Sequence, residues 1–171
     1  MGLVLTGLVV FIAYDKRAYT PPKPLPERGA SAPETSRPIW NAPPEEPLPE
    51  NGEGVFRFDR AAVDSKLRVI PRGEHGHVIL KVEEASDSRL VCWFFVRAGQ
   101  SAETPIPPGT YHLKLACGRT WYGEEHLFGP NASYSAITNE INVPTRTVST
   151  IDLHPSTEGV LKERTLRPKD F

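Results

Sequence analysis

Apolar and polar residues alternate in short runs along the second half of the chain. A period of two residues places successive side chains on opposite faces of a β-strand. The runs are separated by Gly, Pro, Asn and Ser, and they predict strands at 67–70, 77–85, 89–97, 110–117, 137–143 and 148–154, with a seventh, edge strand at 160–166. The run at 89–97 (RLVCWFFVR) is apolar on both faces, so it is predicted to be covered on both sides.

Short strands at intervals of roughly ten residues, without a competing long helical pattern, are typical of two packed antiparallel sheets. We therefore predict an all-β fold, a small antiparallel β-sandwich, over residues 55–171. The residues predicted to form its core are Leu80, Val82, Cys92, Phe94, Val96, Tyr111, Leu113, Leu115, Ile151 and Leu153.

The first fourteen residues (MGLVLTGLVVFIAY) form an uncharged apolar run. The run is shorter than the roughly 20 residues of a full membrane span, and it lacks the basic start and the small-residue cleavage site of a signal peptide. We predict an uncleaved hydrophobic helix at 1–14 that anchors the chain in a membrane, with the true start of the protein further upstream. The alternative is a buried helix or strand of the globular domain.

Residues 15–54 are predicted to form a proline-rich linker. Ten of the thirty residues from Pro21 to Glu50 are proline, which favours extended polyproline II structure and a semi-rigid, disordered spacer. We therefore expect the first fifty residues to make no core contacts. Trp40 differs from the rest of this segment, because a solvated tryptophan in a spacer is unusual. Its ring is a candidate for docking on the domain.

Two features of the sequence disagree on membrane topology. The basic residues Lys16, Arg17, Lys23 and Arg28 come after the hydrophobic run, and the positive-inside rule would place the C-terminal side of the chain in the cytoplasm. The stalk and a possible disulfide suit export, and an upstream start would supply basic residues on the other side. We expect a single-pass protein whose β domain is extracytoplasmic (periplasmic).

Charge and motifs exclude several function classes. The chain has 20 Lys and Arg against 21 Asp and Glu without a basic cluster, so we expect no nucleic-acid partner. The pair His75 and His77 lacks a third ligand, and no nucleophile motif such as GxSxG is present. We predict no metal, no cofactor and no catalytic residue.

The two cysteines are candidates for a disulfide. If the strands 89–97 and 110–117 are antiparallel neighbours in the register that matches their apolar faces, Cys92 lies directly opposite Cys117. Opposed side chains in such a pair approach disulfide distance. The alternative is two buried thiols that act as small apolar side chains.

The segment 118–135 (GRTWYGEEHLFGPNASYS) breaks the strand alternation and concentrates aromatic and acidic residues. A loop this long in a compact domain is more often functional than filler, and aromatic faces beside carboxylates suit a sugar or a peptide. The candidate binding residues are Trp121, Tyr122, Glu124, Glu125 and His126.

A structural role is the alternative for this segment, with Trp121, Leu127 and Phe128 closing the open end of the sandwich. In either case we expect Trp121 and Phe128 to be buried anchors. Tyr122, Glu124, Glu125 and His126 are expected to be more exposed, because adjacent carboxylates are rarely buried without cationic partners.

Two functions from different classes are consistent with these residues. The favoured hypothesis is a non-catalytic binding or envelope-interaction module, displayed on a membrane-anchored stalk, whose partner is a protein, a peptide or a glycan. The alternative is a small hydrolase that uses Glu124, Glu125 or His126.

The string from Pro107 to Pro130 (PPGTYHLKLACGRTWYGEEHLFGP) resembles an uncharacterised group of bacterial membrane-anchored proteins with a proline-rich stalk and a C-terminal β domain. PPGTY alone also resembles the strand entry of prealbumin-like and carboxypeptidase-regulatory-like β-sandwich modules, which are mostly non-catalytic. The resemblance implies a sandwich of the prealbumin-like kind, beside the immunoglobulin-like kind that strand spacing alone permits.

Overall fold

The chain folds into two packed β-sheets. The computed structural model describes residues 8–11, 40–71, 76–153 and 162–171. Within these residues the strands are β1 (Leu8–Phe11), β2 (Gly54–Phe56), β3 (Lys66–Ile70), β4 (His77–Glu84), β5 (Leu90–Val96), β6 (Ala102–Pro105), β7 (Gly109–Gly118), β8 (Ser133–Val143), β9 (Val148–Asp152) and β10 (Glu163–Thr165). They form a six-stranded sheet, β10-β8-β7-β4-β5-β2, and a four-stranded sheet, β1-β9-β3-β6. The predicted all-β sandwich is confirmed.

The two sheets differ in strand direction. Every neighbouring pair in the described six-stranded sheet is antiparallel, as predicted. In the four-stranded sheet, β9 runs parallel to both β1 and β3, and only β3 and β6 are antiparallel. Parallel strands need a long crossover. Here the chain between β3 and β9 includes strands of the six-stranded sheet. Alternation of apolar residues is a property of one strand and does not show which distant strand pairs with it.

The core lies between the sheets. Val78, Leu80 and Val82 of β4 face Leu67 and Val69 of β3, and all five side chains are almost fully buried. All ten residues predicted for the core are buried, so that prediction is confirmed.

A second apolar cluster covers the outer face of the six-stranded sheet. Ile79, Phe95 and Ala116, on three neighbouring strands, pack there against Trp121 and Phe128 from the connection between β7 and β8. The strand predicted to be apolar on both faces is β5, and this cluster explains why: Phe94 points into the main core and Phe95 into the outer cluster. The sheet is therefore buried on both sides along part of its length.

Two core hydroxyl groups lack a hydrogen-bond partner among the described residues. Thr104 Oγ1 and Ser149 Oγ are both buried on strands that flank Leu67 in the four-stranded sheet. A buried hydroxyl without a partner destabilises the folded state. Thr104→Val replaces this hydroxyl by a methyl group of similar size and is expected to raise the free energy of unfolding by about 1 kcal/mol in urea titration.

Thr147→Val is the matched control, because the hydroxyl of Thr147 donates to the carbonyl oxygen of Pro144 at 2.8 Å. Its loss is expected to leave stability unchanged or slightly lower. A Thr104→Val protein no more stable than the parent would show that the Thr104 hydroxyl has a partner after all.

The hydrophobic N-terminal segment differs from the prediction where it is described. Leu8–Phe11 form strand β1 at the edge of the four-stranded sheet, paired in parallel with β9 from Leu8 opposite Ser149 to Phe11 opposite Asp152. The helix predicted over 1–14 is therefore wrong for these four residues, and the others lie outside the described residues. None of the helices in the described part of the chain is long and apolar enough to cross a membrane.

The last part of the predicted linker is packed against the domain. The N–H of Gly52 donates to the carbonyl oxygen of Phe95 at 2.7 Å, and the N–H of Phe95 donates to that of Glu53 at 2.7 Å, which extends the pairing of β2 with β5. The prediction of a spacer over 15–54 is wrong for this end. The local sequence did not indicate the pairing, because the partner strand is more than forty residues away. Residues 15–39 lie outside the described residues.

The disulfide is absent. Cys92 is a buried thiol and Cys117 a half-buried one. The condition for the disulfide, that these two strands are neighbours, is not met, because β4 lies between β5 and β7 and sets Cys92 opposite Val82 and Cys117 opposite Val78. Two strand spacings and a four-residue offset separate the cysteines by roughly 16 Å, far beyond disulfide reach. The apolar face of β4 is compatible with those of both β5 and β7, so compatible apolar faces alone do not show which strands are neighbours in the sheet.

Candidate functional site

The β7–β8 loop (residues 119–132) is fixed from beneath by two aromatic anchors. Trp121 and Phe128 are each 3 % exposed. The Trp121 ring meets Phe95 edge to face at 5.5 Å between ring centroids, and it meets Phe128 at 5.5 Å. The anchors lie on the outer face of the six-stranded sheet, so the loop covers that face and does not close the end of the sandwich.

Phe95 also contacts the ring of His77. The two rings stack with centroids 5.4 Å apart and planes 28° from parallel. The His77 Nδ1 accepts a hydrogen bond from the N–H of Ala98 at 3.2 Å. Burial, with a smaller contribution from Arg97, lowers the pKa of His77 and so favours the neutral imidazole that can accept this bond.

Between its anchors the loop forms a single helical turn, α1 (Gly123–His126). The N–H of Leu127 donates to the carbonyl oxygen of Gly123 at 2.8 Å, and the N–H of Tyr122 donates to that of Leu127 at 2.8 Å. Gly123 has a φ of 86°, in the left-handed region that favours glycine. A Cβ atom at this position would also collide with the carboxylate of Glu46, so a second segment lies directly against the turn.

That second segment is the strap, residues 40–53. The N–H of Glu46 donates to the carbonyl oxygen of Trp121 at 3.0 Å. The Trp40 ring meets Tyr122 at 6.2 Å and His126 at 5.6 Å, both edge to face. The prediction that Trp40 docks on the domain is confirmed.

Arg97 holds the strap at its other end. Its Nε donates to the carbonyl oxygen of Pro49 at 2.9 Å and its Nη2 to that of Leu48 at 3.1 Å. The Asn51 side chain accepts from the N–H of Arg97 at 3.0 Å and donates to the carbonyl oxygen of Ser101 at 2.8 Å. The strap and the β7–β8 loop therefore form one surface on the outer face of the sheet.

The candidate residues divide on this surface as predicted. Glu124 and Glu125 are exposed, Tyr122 and His126 are half-buried, and Trp121 is buried. Trp121 is therefore an anchor and offers a partner almost no surface, although it belongs to the predicted set of binding residues. The structure brings Tyr122 and His126 together through their shared contact with Trp40.

A cleft of about 410 Å³ lies near the other end of β7. It is lined by Glu84, Ala85, Ser86, Glu140 and residues 107–111, and none of Glu124, Glu125 and His126 takes part in it. No group of three or more His, Cys, Asp and Glu among the described side chains is placed to hold a metal ion. His75 lies outside the described residues.

Sequence reasoning missed Glu46, Leu48 and Arg97 as parts of this surface. Glu46 and Leu48 lie in a proline-rich stretch whose composition is typical of a spacer, and Arg97 ends a strand with no sign of its long-range partners. The single signal in the sequence was Trp40, an aromatic residue too apolar for a solvated linker.

Comparison of the chain with protein-family models, with curated proteins and with solved structures finds no match.

Proposed function

We propose that this protein is a non-catalytic binding module whose contact surface is formed by the strap and the β7–β8 loop, and that its partner is a protein, a peptide or a glycan. One observation carries the proposal: exposed aromatic and acidic side chains are mounted on a frame whose own anchors are fully buried. Such a frame presents side chains for contact without relying on them for its stability.

The frame supports binding because it is ordered before any partner arrives. The N–H of Glu46 binds the strap to the loop at Trp121, and the N–H of Gly52 and the Arg97 guanidinium bind it to β5 and its C-terminal end. A surface that is already ordered loses little conformational entropy when a partner binds, and its contact energy is retained as affinity.

The placement of the carboxylates favours binding over hydrolysis. General acid and base groups act on a substrate held between them, within hydrogen-bond reach of the reacting atoms. Glu124 and Glu125 are neighbours on one helical turn, both exposed, and the 410 Å³ cleft lies elsewhere. The hydrolase alternative has no comparable observation in its favour.

Display of this module on a membrane-anchored stalk outside the cytoplasm stays a prediction. It competes directly with strand β1, because residues 8–11 cannot lie in a bilayer and pair with β9 at the same time. The two arrangements are alternatives for the same four residues, and the binding surface, built from residues 40–53 and 119–132, is compatible with either.

The surface is tested by replacing Tyr122, Glu124, Glu125 and His126 together with alanine. We expect the melting temperature to change by no more than about 3 °C, because the four side chains are exposed or half-buried and the anchors remain. We expect capture of the partner from a cell-envelope extract by the immobilised full chain to be lost.

A matched control replaces the exposed residues Lys66, Arg68 and Glu103 with alanine, on the outer face of the opposite sheet. This control should capture the same partner as the parent chain. If the quadruple variant captures the partner normally, or unfolds as readily as a Trp121 variant, the loop is only a structural cover and the proposed function is wrong.

A further inference from the structure

The strap carries two exposed apolar side chains. Among the described residues, the large hydrophobic side chains that remain exposed are Trp40, at 41 %, and Leu48, at 37 %, and both belong to the strap. Arg97 and Asn51 hold the Leu48 end of the strap, and the Trp40 ring is in contact with the rings of Tyr122 and His126. Single exposed apolar side chains are common on protein surfaces, and what distinguishes these two is the charge of the segments around them.

The strap and the adjoining β7–β8 loop are acidic. The strap and the β7–β8 loop together contain six glutamates and one arginine, Arg119, whereas the rest of the chain holds 19 Lys and Arg against 15 Asp and Glu. Glu45, Glu46, Glu124 and Glu125 form no ion pair with any described residue. By contrast, the carboxylates of Glu83 and Glu103 are each bound by two cationic side chains.

The geometry of the rings helps to identify the partner. The Trp40 ring is inclined at 76° to Tyr122 and at 81° to His126. Rings nearly perpendicular to one another do not form the flat platform on which a sugar ring stacks across several aromatic faces. A cation is attracted to any single aromatic face, most strongly to that of tryptophan, and nearby carboxylates add to that attraction.

Resting on the proposed function, we propose that the partner is a protein that presents a segment rich in arginine or lysine. One cationic side chain of that segment stacks on the exposed part of Trp40, and its neighbours pair with Glu124 and Glu125 on α1 and with Glu46 on the strap. The uncompensated charge of the surface draws the basic segment to it.

The test is a titration of the ¹⁵N-labelled full chain with a nine-residue peptide of alternating arginine and glycine, observed through the indole N–H signals. The Trp40 signal is assigned with Trp40→Phe. We expect it to shift, while the signal of the buried Trp121 does not. We expect Trp40→Ala, and separately Glu124→Gln with Glu125→Gln, to weaken binding on the order of tenfold. Raising NaCl from about 0.05 to 0.5 M should weaken it further.

Two control ligands separate this inference from the proposed function. A glutamate-glycine peptide of the same length should leave Trp40 unshifted, and so should a neutral chito-oligosaccharide. If the oligosaccharide shifts Trp40 and the arginine peptide does not, the surface binds but the inference is wrong. If the arginine peptide binds equally to the Glu124→Gln, Glu125→Gln protein, or leaves Trp40 unaffected, the inference is also wrong, whatever the envelope capture shows.

Discussion

Replacing Trp121 with alanine is expected to lower the free energy of unfolding by about 3 to 5 kcal/mol. Trp121 is 3 % exposed, and its ring contacts Phe95 and Phe128 in the outer cluster. Its removal leaves a cavity under the β7–β8 loop, and the carbonyl oxygen that accepts from Glu46 then sits on an unanchored chain. The lost stability affects the loop, the strap and the sheet face that they cover.

Equilibrium unfolding in urea, followed by circular dichroism, measures this loss. The control is Trp40→Ala, the same substitution on the same surface at a side chain that is 41 % exposed. It is expected to change stability by less than about 1 kcal/mol. Equal losses for the two variants would mean that the anchors and the contact residues are not distinct.

Replacing Glu83 with glutamine is expected to destabilise the domain by about 2 to 3 kcal/mol. The Glu83 carboxylate is 8 % exposed and lies 3.1 Å from both Lys81 Nζ on the same strand and Lys114 Nζ on β7. Glutamine removes the negative charge from two ammonium groups, each on a side chain 24 % exposed, and of the two Lys81 keeps its hydrogen bond to the carbonyl oxygen of Phe171 at 2.6 Å. Removing one partner of a buried ion pair costs about 3 to 5 kcal/mol, and partial exposure of the lysines reduces that figure.

Glu103→Gln is a matched control for Glu83→Gln. Glu103 also lies between two cationic side chains, at 2.8 Å from Lys66 Nζ and 2.6 Å from Arg68 Nη2, but there the cationic side chains are 50 % and 48 % exposed. These bases lower the pKa of Glu103 through hydrogen bonds, yet a solvated pair contributes little to stability, so its loss should cost less than about 1 kcal/mol. Comparable losses in chemical denaturation would show that burial does not set the difference.

Local patterns were sufficient to predict most of the strands and the faces they bury. Alternation in HVILKVEEA places Val78, Leu80 and Val82 inward, and the structure agrees, since a period of two residues is a property of one strand alone. The same holds for the anchors Trp121 and Phe128, because a long ordered loop needs buried apolar side chains.

Pairing between distant segments could not be predicted in the same way. The order β7-β4-β5, which separates Cys92 from Cys117, depends on which of several similar apolar faces meet. Strand β6 (AETP) was missed because four residues that end in proline carry too little alternation, and its pairing with β3 depends on contacts almost forty residues away.

Only the loop part of the candidate surface could be predicted from the sequence, for the same reason. Tyr122, Glu124, Glu125 and His126 lie within five consecutive residues, so their composition drew attention to them. The strap is held by hydrogen bonds of Arg97 and Asn51, and each of these bonds joins residues about fifty positions apart in the sequence. A proline-rich stretch with such partners therefore resembles a spacer in composition, although it is packed against the domain.

The most direct test of the shared surface is to map the captured partner onto the ¹⁵N-labelled full chain by amide chemical shifts. We predict that the largest shifts fall on residues 40–48 and 122–127, on both segments together. Shifts concentrated at the cleft near Glu84 and Glu140, or on the exposed face of β3, with the strap and the loop unaffected, would contradict the account.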